Sequence, residues 1–272
     1  MSIEVAVVPA AGRGTRMRPA TRVVPKALIP VVDRPVIQYA VEESVRAGAV
    51  EVILIVDPGV ATLAERHFWE EGPLPGLEEV KITPVVQEIP HGLGDAVLTA
   101  REAVADRPFF CLLADNIPPP GGDVLAGMAQ AFDDTSVVCL RRLNPEFLER
   151  YGVIVPGAWH GEHVVEVRGA VEKPGAAHAP SDLGLIGRYL FTPDVFSILE
   201  KLPAGVGGEI QLTDAISELG EAGRCLGFVA GQDLLDVGNP LGLLEASTVL
   251  GLSHQEWGDD YQAYLEGLVN EL

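Results

Sequence analysis

The stretch from Pro9 to Pro30 reads P-A-A-G-R-G-T-R-M-R-P-A-T-R-V-V-P-K-A-L-I-P, with two glycines, four arginines, one lysine and no acidic residue. In a chain of formal net charge −20, such a basic island needs an anionic partner to explain it. It leaves an apolar run, Ile3 to Val8, that reads as a buried strand. Glycines there let backbone N–H groups approach an anion closely, and arginines add charge-assisted forks. The chemistry predicted is the cradling of a polyphosphate. A dinucleotide-binding turn fits poorly, because Met17 stands where its third glycine belongs and the next helix signal comes only at Pro35. A P-loop needs Gly-Lys-Ser/Thr where this chain has Gly14-Thr15-Arg16. Pro25 and Pro30, on either side of Lys26, stiffen the segment.

Other residues of useful chemistry are scattered. Gln87 follows an apolar strand and precedes the glycine-rich turn Pro90-His91-Gly92-Leu93-Gly94-Asp95-Ala96. An amide can both donate to and accept from one edge of a nucleobase, with glycine backbone completing the contact; an ordinary strand-to-helix turn reads the same way. Asp115 closes the run Phe109 to Ala114, where it either caps a turn or offers oxygen to Mg²⁺. Asp236, distant in sequence, also lies between an apolar run and a helix, so the two carboxylates could share a metal. Glu172-Lys173 ends another strand. Strand neighbours point to opposite faces, so the expectation is no mutual salt bridge: Glu172 would be free for sugar hydroxyls and Lys173 for a phosphate, unless the pair is merely a charged turn. Gly152 would permit close sugar approach, and Tyr189 reads as core. His160, His163 and His178 lack metal-ligand spacing and read as solvated loop residues.

The elements that position these residues begin with strands and helices in alternation: strands at Ile3–Val8, Val50–Val56, Val80–Val86 and Phe109–Ala114, and helices from Pro35, at Val60–Trp69 and at Gly94–Ala105. That alternation predicts a mostly parallel sheet with ligands beyond the carboxyl ends of its strands. Later come strands at Val137–Leu143, Gly152–Val155, Val164–Val171, Leu185–Phe191 and Leu226–Ala230. Helices are predicted at Thr192-Pro193-Asp194 onward with a capping signal, at Glu209–Glu221, Asn239–Leu250 and Asp260–Leu268. The expectation is one α/β domain over 1–272 with an inserted β-hairpin lobe around His160–Glu162 and C-terminal helices.

Bulk properties exclude several classes. An apolar content of 47% is ample for a core, and no run is long enough to cross a bilayer. The acidic balance argues against nucleic acid or an anionic membrane as partner. Three scattered cysteines, Cys111, Cys139 and Cys225, suit reduced thiols in a cytoplasmic protein.

In family order, the chain carries A-G-R-G-T-R-M-R-P-A-T at Ala11–Thr21, P-K-A-L-I-P-V-V-D-R-P-V-I-Q-Y at Pro25–Tyr39 and G-L-G-D-A-V at Gly92–Val97. V-E-K-P at Val171–Pro174, I-G-R-Y at Ile186–Tyr189, G-G-E-I-Q-L-T-D-A-I at Gly207–Ile216 and D-V-G-N at Asp236–Asn239 follow. Together they resemble the bacterial UTP–glucose-1-phosphate uridylyltransferase family. The resemblance implies the nucleotide-diphospho-sugar transferase fold, a three-layer α/β/α sandwich around a mostly parallel mixed sheet. It implies a mainly nucleotide-binding half at 1–135, a mainly sugar-binding half at 136–235, and a metal motif with helices at 236–272. Ala11, Gly12, Gly14, Thr15, Gln87 and Gly92 would bind the nucleotide. Arg16, Lys26 and Lys173 would be catalytic cations. Gly152, Glu172 and Tyr189 would contact the sugar, and Asp115 and Asp236 would bind Mg²⁺. The implied partners are a nucleoside triphosphate and a sugar 1-phosphate, with a homo-oligomer possible.

Three departures stand out. The stretch Glu70 to Val80 is short where the family commonly has a long helical insertion, which bears on oligomerisation. Asp95 stands where the uridylyl enzymes commonly have histidine, and G-D-A-V resembles the adenylyl-transferring relatives. Asn116 resembles the thymidylyl relatives. The substrates expected are UTP and glucose 1-phosphate; a dTTP-, ATP- or GTP-using relative acting on another sugar or cyclitol phosphate stays open. A non-catalytic nucleotide-sugar binding protein is the reading from another class. A glycosyltransferase would leave the G-x-G-T-R loop unexplained and usually needs D-x-D, where this chain has Leu113-Ala114-Asp115-Asn116-Ile117.

Overall fold

The computed structural model describes residues 2–70, 72–231 and 233–271, without the side chain of Val206. Among them is a nine-stranded sheet. Its strands are β1 (Val5–Pro9), β2 (Glu51–Val56), β3 (Lys81–Val86), β4 (Phe109–Leu112), β5 (Ser136–Arg142), β6 (Val153–His160), β7 (Val164–Val171), β8 (Leu183–Phe191) and β9 (Cys225–Val229). The order across the sheet is β3-β2-β1-β4-β8-β5-β9-β7-β6. The first four are parallel neighbours, as are β5 and β9. Only β8 and β7 run against the rest of this mixed sheet.

Period-two alternation explains the layers. Ala6 and Val8 of β1, Val52, Leu54 and Val56 of β2, and Phe110 and Leu112 of β4 join one core. Their alternates Val5, Val7, Ile53, Ile55, Phe109 and Cys111 join a second core on the opposite face. Helices α1 (Val36–Arg46), α2 (Pro58–Glu65), α5 (Val124–Ala131) and α8 (Pro240–Leu252) cover the first core. Helices α3 (Leu93–Thr99), α4 (Arg101–Val104), α6 (Asp194–Leu199) and α7 (Leu212–Glu221) cover the second. Strands buried on both faces read as continuous apolar runs, which is why the sequence showed them so plainly. Helix α9 (Gly258–Glu271) folds back on α8, with the Tyr261 ring against the backbone of Gly251. No helix of the described residues is long and apolar enough to cross a membrane, and the three cysteines are free and buried.

Several elements differ from expectation. Helix α7 begins at Leu212 rather than Glu209, because Ile210 is drawn into backbone bonds instead: its N–H donates to His91 O at 2.7 Å and its carbonyl accepts from Gly94 N at 2.9 Å. Thr192 does not cap α6; its hydroxyl donates to the Asp194 carboxylate, and Pro193 takes the capping position without a side-chain bond. Helix α5 was not anticipated, although the Asp123 carboxylate caps it by accepting from Ala126 N at 3.1 Å. The hairpin of β6 and β7 turns at Gly161–His163, so His160, expected in a loop, is the last residue of β6 and pairs with Val164; a bridge from Gly184 to Val153 ties the hairpin's base back to β8.

Candidate functional site

The basic loop leaves β1 at the carboxyl edge of the parallel strands, the same edge at which Gln87 follows β3 and Asp115 follows β4. Gly14 has φ 58°, and a Cβ there would lie 2.9 Å from both Lys26 Cβ and Thr21 Cγ2. The bare backbone lets the Lys26 segment fold under the glycine turn. Thr21 Oγ1 donates to Gly14 O at 2.8 Å and fixes the fold-back. Around Gly12 nothing lies within 4 Å of an added Cβ, so its backbone faces open space.

A two-residue antiparallel ladder brings Asp236 to Asp115. Leu235 pairs with Ile117 and Asp236 with Asn116, and Val237 N donates to Asp115 O at 2.8 Å. The convergence is sharpest over Gly238. A Cβ added there would sit 2.7 Å from Asp236 Oδ1, 2.8 Å from Arg16 Nη2 and 3.1 Å from Asp115 Oδ2. Two carboxylates and a guanidinium therefore border one small space. Lys26 Nζ pairs with Asp115 Oδ2. Burial alone would raise the Asp115 pKa, but the Lys26 ammonium and the Arg16 guanidinium outweigh it and hold the carboxyl below its ordinary range. Burial, with the charge of Asp236, pushes the Tyr151 phenol up.

The Asp115 turn is held by a residue not assigned a role from sequence. Arg188 is fully buried; its Nε and Nη2 donate to the Glu43 carboxylate of α1 at 2.6–3.1 Å. Nη1 also donates to Leu113 O at 3.0 Å, and Nη2 to Asn116 O. Those two carbonyls bracket Ala114-Asp115. An arginine inside an otherwise apolar strand was the available signal, since a buried charge needs a partner.

On the sugar-side elements, Lys173 Nζ lies 2.6 Å from Glu172 Oε1, which overturns the expectation of no mutual salt bridge. The strand ends at Val171, and Lys173 has φ 47°, so strand alternation no longer governs the pair. Thr213 Oγ1 donates to the other Glu172 oxygen at 2.6 Å. Gly152 does its work through packing: a Cβ there would lie 2.8 Å from Thr213 Oγ1 and 3.0 Å from Leu185 Cδ1. Tyr189 is 4% exposed and stacks on Phe191, with part of its surface in the cleft.

These residues line three adjoining recesses. A chamber of about 550 Å³ is bordered by Ala11, Gly12, Gly14, Thr15, Gln87 and Gly92. A second, of about 270 Å³, is bordered by Arg16, Asp115, Asp236, Gly152, Glu172, Lys173 and Tyr189. Leu93 and Glu209 form part of both walls. Lys26, Gly12 and Asp115 line a smaller recess of about 90 Å³. The cleft can thus hold two anionic molecules end to end, with Arg16, Lys173 and the carboxylate pair lining the second recess and Lys26 reaching Asp115 from the third. Among the described residues no group of three or more His, Cys, Asp or Glu side chains converges as a metal site. A pair of carboxylates beside an anion site still suits Mg²⁺, which binds through one or two carboxylates together with substrate phosphates and water.

Known proteins share this fold and about a third of this sequence. The model of the nucleotidyl transferase family matches residues 5–251. A Bacillus subtilis protein named UTP–glucose-1-phosphate uridylyltransferase is 36% identical over 287 residues, covering 99% of this chain and 98% of its own. A UDP-glucose pyrophosphorylase solved with UDP-glucose superposes with a TM-score of 0.82 at 33% identity, over 93% of this chain and 100% of that one. A UTP-bound UGPase from Acinetobacter baumannii gives a TM-score of 0.82 at 30% identity, over 97% and 98%.

Proposed function

The chain belongs to the nucleotidyl transferase family, among the UTP–glucose-1-phosphate uridylyltransferases, and from that membership we propose that it joins UTP to glucose 1-phosphate, giving UDP-glucose and pyrophosphate. The observation that carries this reading is the meeting of Arg16, Asp115 and Asp236 around Gly238, all three lining the smaller chamber, which adjoins the larger one at Leu93 and Glu209.

The nucleotide occupies the larger chamber, its base toward Gln87 and Gly92 and its phosphates over the glycines of the basic loop. The sugar occupies the smaller chamber against Glu172, whose carboxylate is held between Lys173 and Thr213. An oxygen of the sugar phosphate attacks the α-phosphorus of UTP. The bond from that phosphorus to the bridging oxygen of the β-phosphate breaks, and pyrophosphate leaves. The attacking group is already an anion, so no general base is needed, and the described residues that line the cleft include no Cys, Ser or His. What remains is positioning and charge. Arg16 and Lys26 stabilise the negative charge that spreads over the α-phosphoryl oxygens, and Lys173 holds the sugar phosphate. Asp115 and Asp236 would hold Mg²⁺, whose part is to neutralise phosphate charge.

A matrix of five nucleoside triphosphates against several sugar 1-phosphates with Mg²⁺, read by pyrophosphate release, tests the reading. Turnover with UTP and glucose 1-phosphate well above every other pair is expected. Preference for another base or sugar phosphate would reassign the substrates, and no release with any pair would leave a binding protein.

A further inference from the structure

The first turn of α3 carries Asp95 against Gln87. The Gln87 amide nitrogen donates to Asp95 Oδ2 at 2.5 Å. A carboxylate carries only lone pairs, so the amide must turn its NH₂ toward Asp95; the opposite flip would press two acceptors together. Neither partner is free to drift. Gln87 N donates to Val56 O at 2.8 Å, and the residue is 4% exposed. The entry to α3 is pinned by Gly94 N donating to Ile210 O at 2.9 Å, and a Cβ on Gly94 would lie 2.8 Å from that same oxygen. Gln87 Oε1 has no donor among the described residues and is not sealed from the larger chamber that Gln87 lines. The face offered to the chamber is therefore led by an acceptor, in a fixed order.

We propose that Asp95 is the base-discriminating positioning residue of this protein: by locking the Gln87 amide, it presents Oε1 to the ring N3–H of a keto pyrimidine and turns away cytosine. Uracil carries a hydrogen on N3 and donates it to Oε1. Cytosine has a bare N3 lone pair at the same place, which would face the oxygen lone pairs. With an amide free to rotate, its NH₂ would serve cytosine equally well. The inference deepens the proposed uridylyl transfer and rests on it for placing the base in this chamber.

Dissociation constants of UTP and CTP, measured by calorimetry with Mg²⁺ and no sugar phosphate, test it without relying on turnover. The unaltered chain should prefer UTP. Asp95→Asn, whose amide can accept or donate, should lower the UTP/CTP preference by about tenfold or more, because a buried polar mismatch drives such discrimination. Asp95→Glu keeps the acceptor-only chemistry and should keep the preference. A merely structural role for Asp95 would weaken both nucleotides alike. An unchanged ratio in Asp95→Asn, or equal loss of preference in Asp95→Glu, overturns the proposal. Equal binding of UTP and CTP by the unaltered chain overturns it too. Binding of neither nucleotide would sink the nucleotidyl-transfer reading itself, and the inference with it.

Discussion

Arg188 serves two partners, and separate substitutions pull their contributions apart. Its tie to Glu43 is a buried ion pair, with the arginine fully buried and the glutamate side chain 5% exposed. Its bonds to the Leu113 and Asn116 carbonyls hold the turn that carries Asp115. Glu43→Gln keeps the carbonyl bonds but leaves a buried guanidinium without its counter-charge, a loss of about 3–5 kcal/mol. For a chain of this length that lowers Tm by roughly 10 °C. Arg188→Lys keeps the charge opposite Glu43 but strands the two carbonyls, each costing about 1–3 kcal/mol. The two variants should therefore melt at comparably lowered temperatures. Turnover should separate them. With the turn unclamped, a shift of about 1 Å at Asp115 costs about 10²-fold in rate, so Arg188→Lys should fall by that order while Glu43→Gln stays within a few-fold at 20 °C. Thermal melting followed by circular dichroism, with pyrophosphate release on the same samples, gives both readings. Equal loss of turnover in the two variants, or full turnover in Arg188→Lys, would refute the clamp.

Thr213→Val removes one hydrogen bond to the Glu172 carboxylate at nearly constant volume. The KM for the proposed sugar 1-phosphate should rise about tenfold, with the KM for UTP unchanged, in steady-state kinetics. Gly238→Ala forces a methyl to within 2.7 Å of Asp236 Oδ1 and 2.8 Å of Arg16 Nη2, so turnover should drop by about 10²-fold with little change in melting temperature. The Asp115 carboxyl is held low by Lys26 and Arg16, so its ion pair stabilises the fold above the ordinary carboxylate pKa of about 3.9 and is lost as pH falls through the lower folded value. Removing the cation reverses the balance at Asp115 in favour of burial. In urea unfolding, the stability gap between the unaltered chain and Lys26→Met should therefore narrow from pH 7 to pH 3.

The strands buried on both faces were legible because sheet geometry writes them as unbroken apolar runs. The site loops were legible because Gly12, Gly14 and Lys26 are residue types that few other roles require in that order. What escaped was set by contacts distant in sequence. Helix α7 loses its first expected turn because Ile210 bonds to His91 and Gly94, more than 110 positions earlier. The Glu172–Lys173 bridge depends on a left-handed backbone at Lys173, a conformation that no local signal in V-E-K-P announces. Asp236 reaches Asp115 through the ladder of Asp236 with Asn116, a pairing between segments some 120 positions apart that neither segment announces. Arg188 read as one more residue of a strand, since neither Glu43 nor the Asp115 turn lies near it in the chain.

The central claim is that cations of the basic loop carry charge stabilisation in a transfer needing no general base. Lys26→Ala tests it most directly: pyrophosphate release from UTP and glucose 1-phosphate, beside UTP affinity by calorimetry on the same protein. A fall of roughly 10²–10³ in turnover is expected, with UTP binding reduced far less. Near-normal turnover in Lys26→Ala would contradict it.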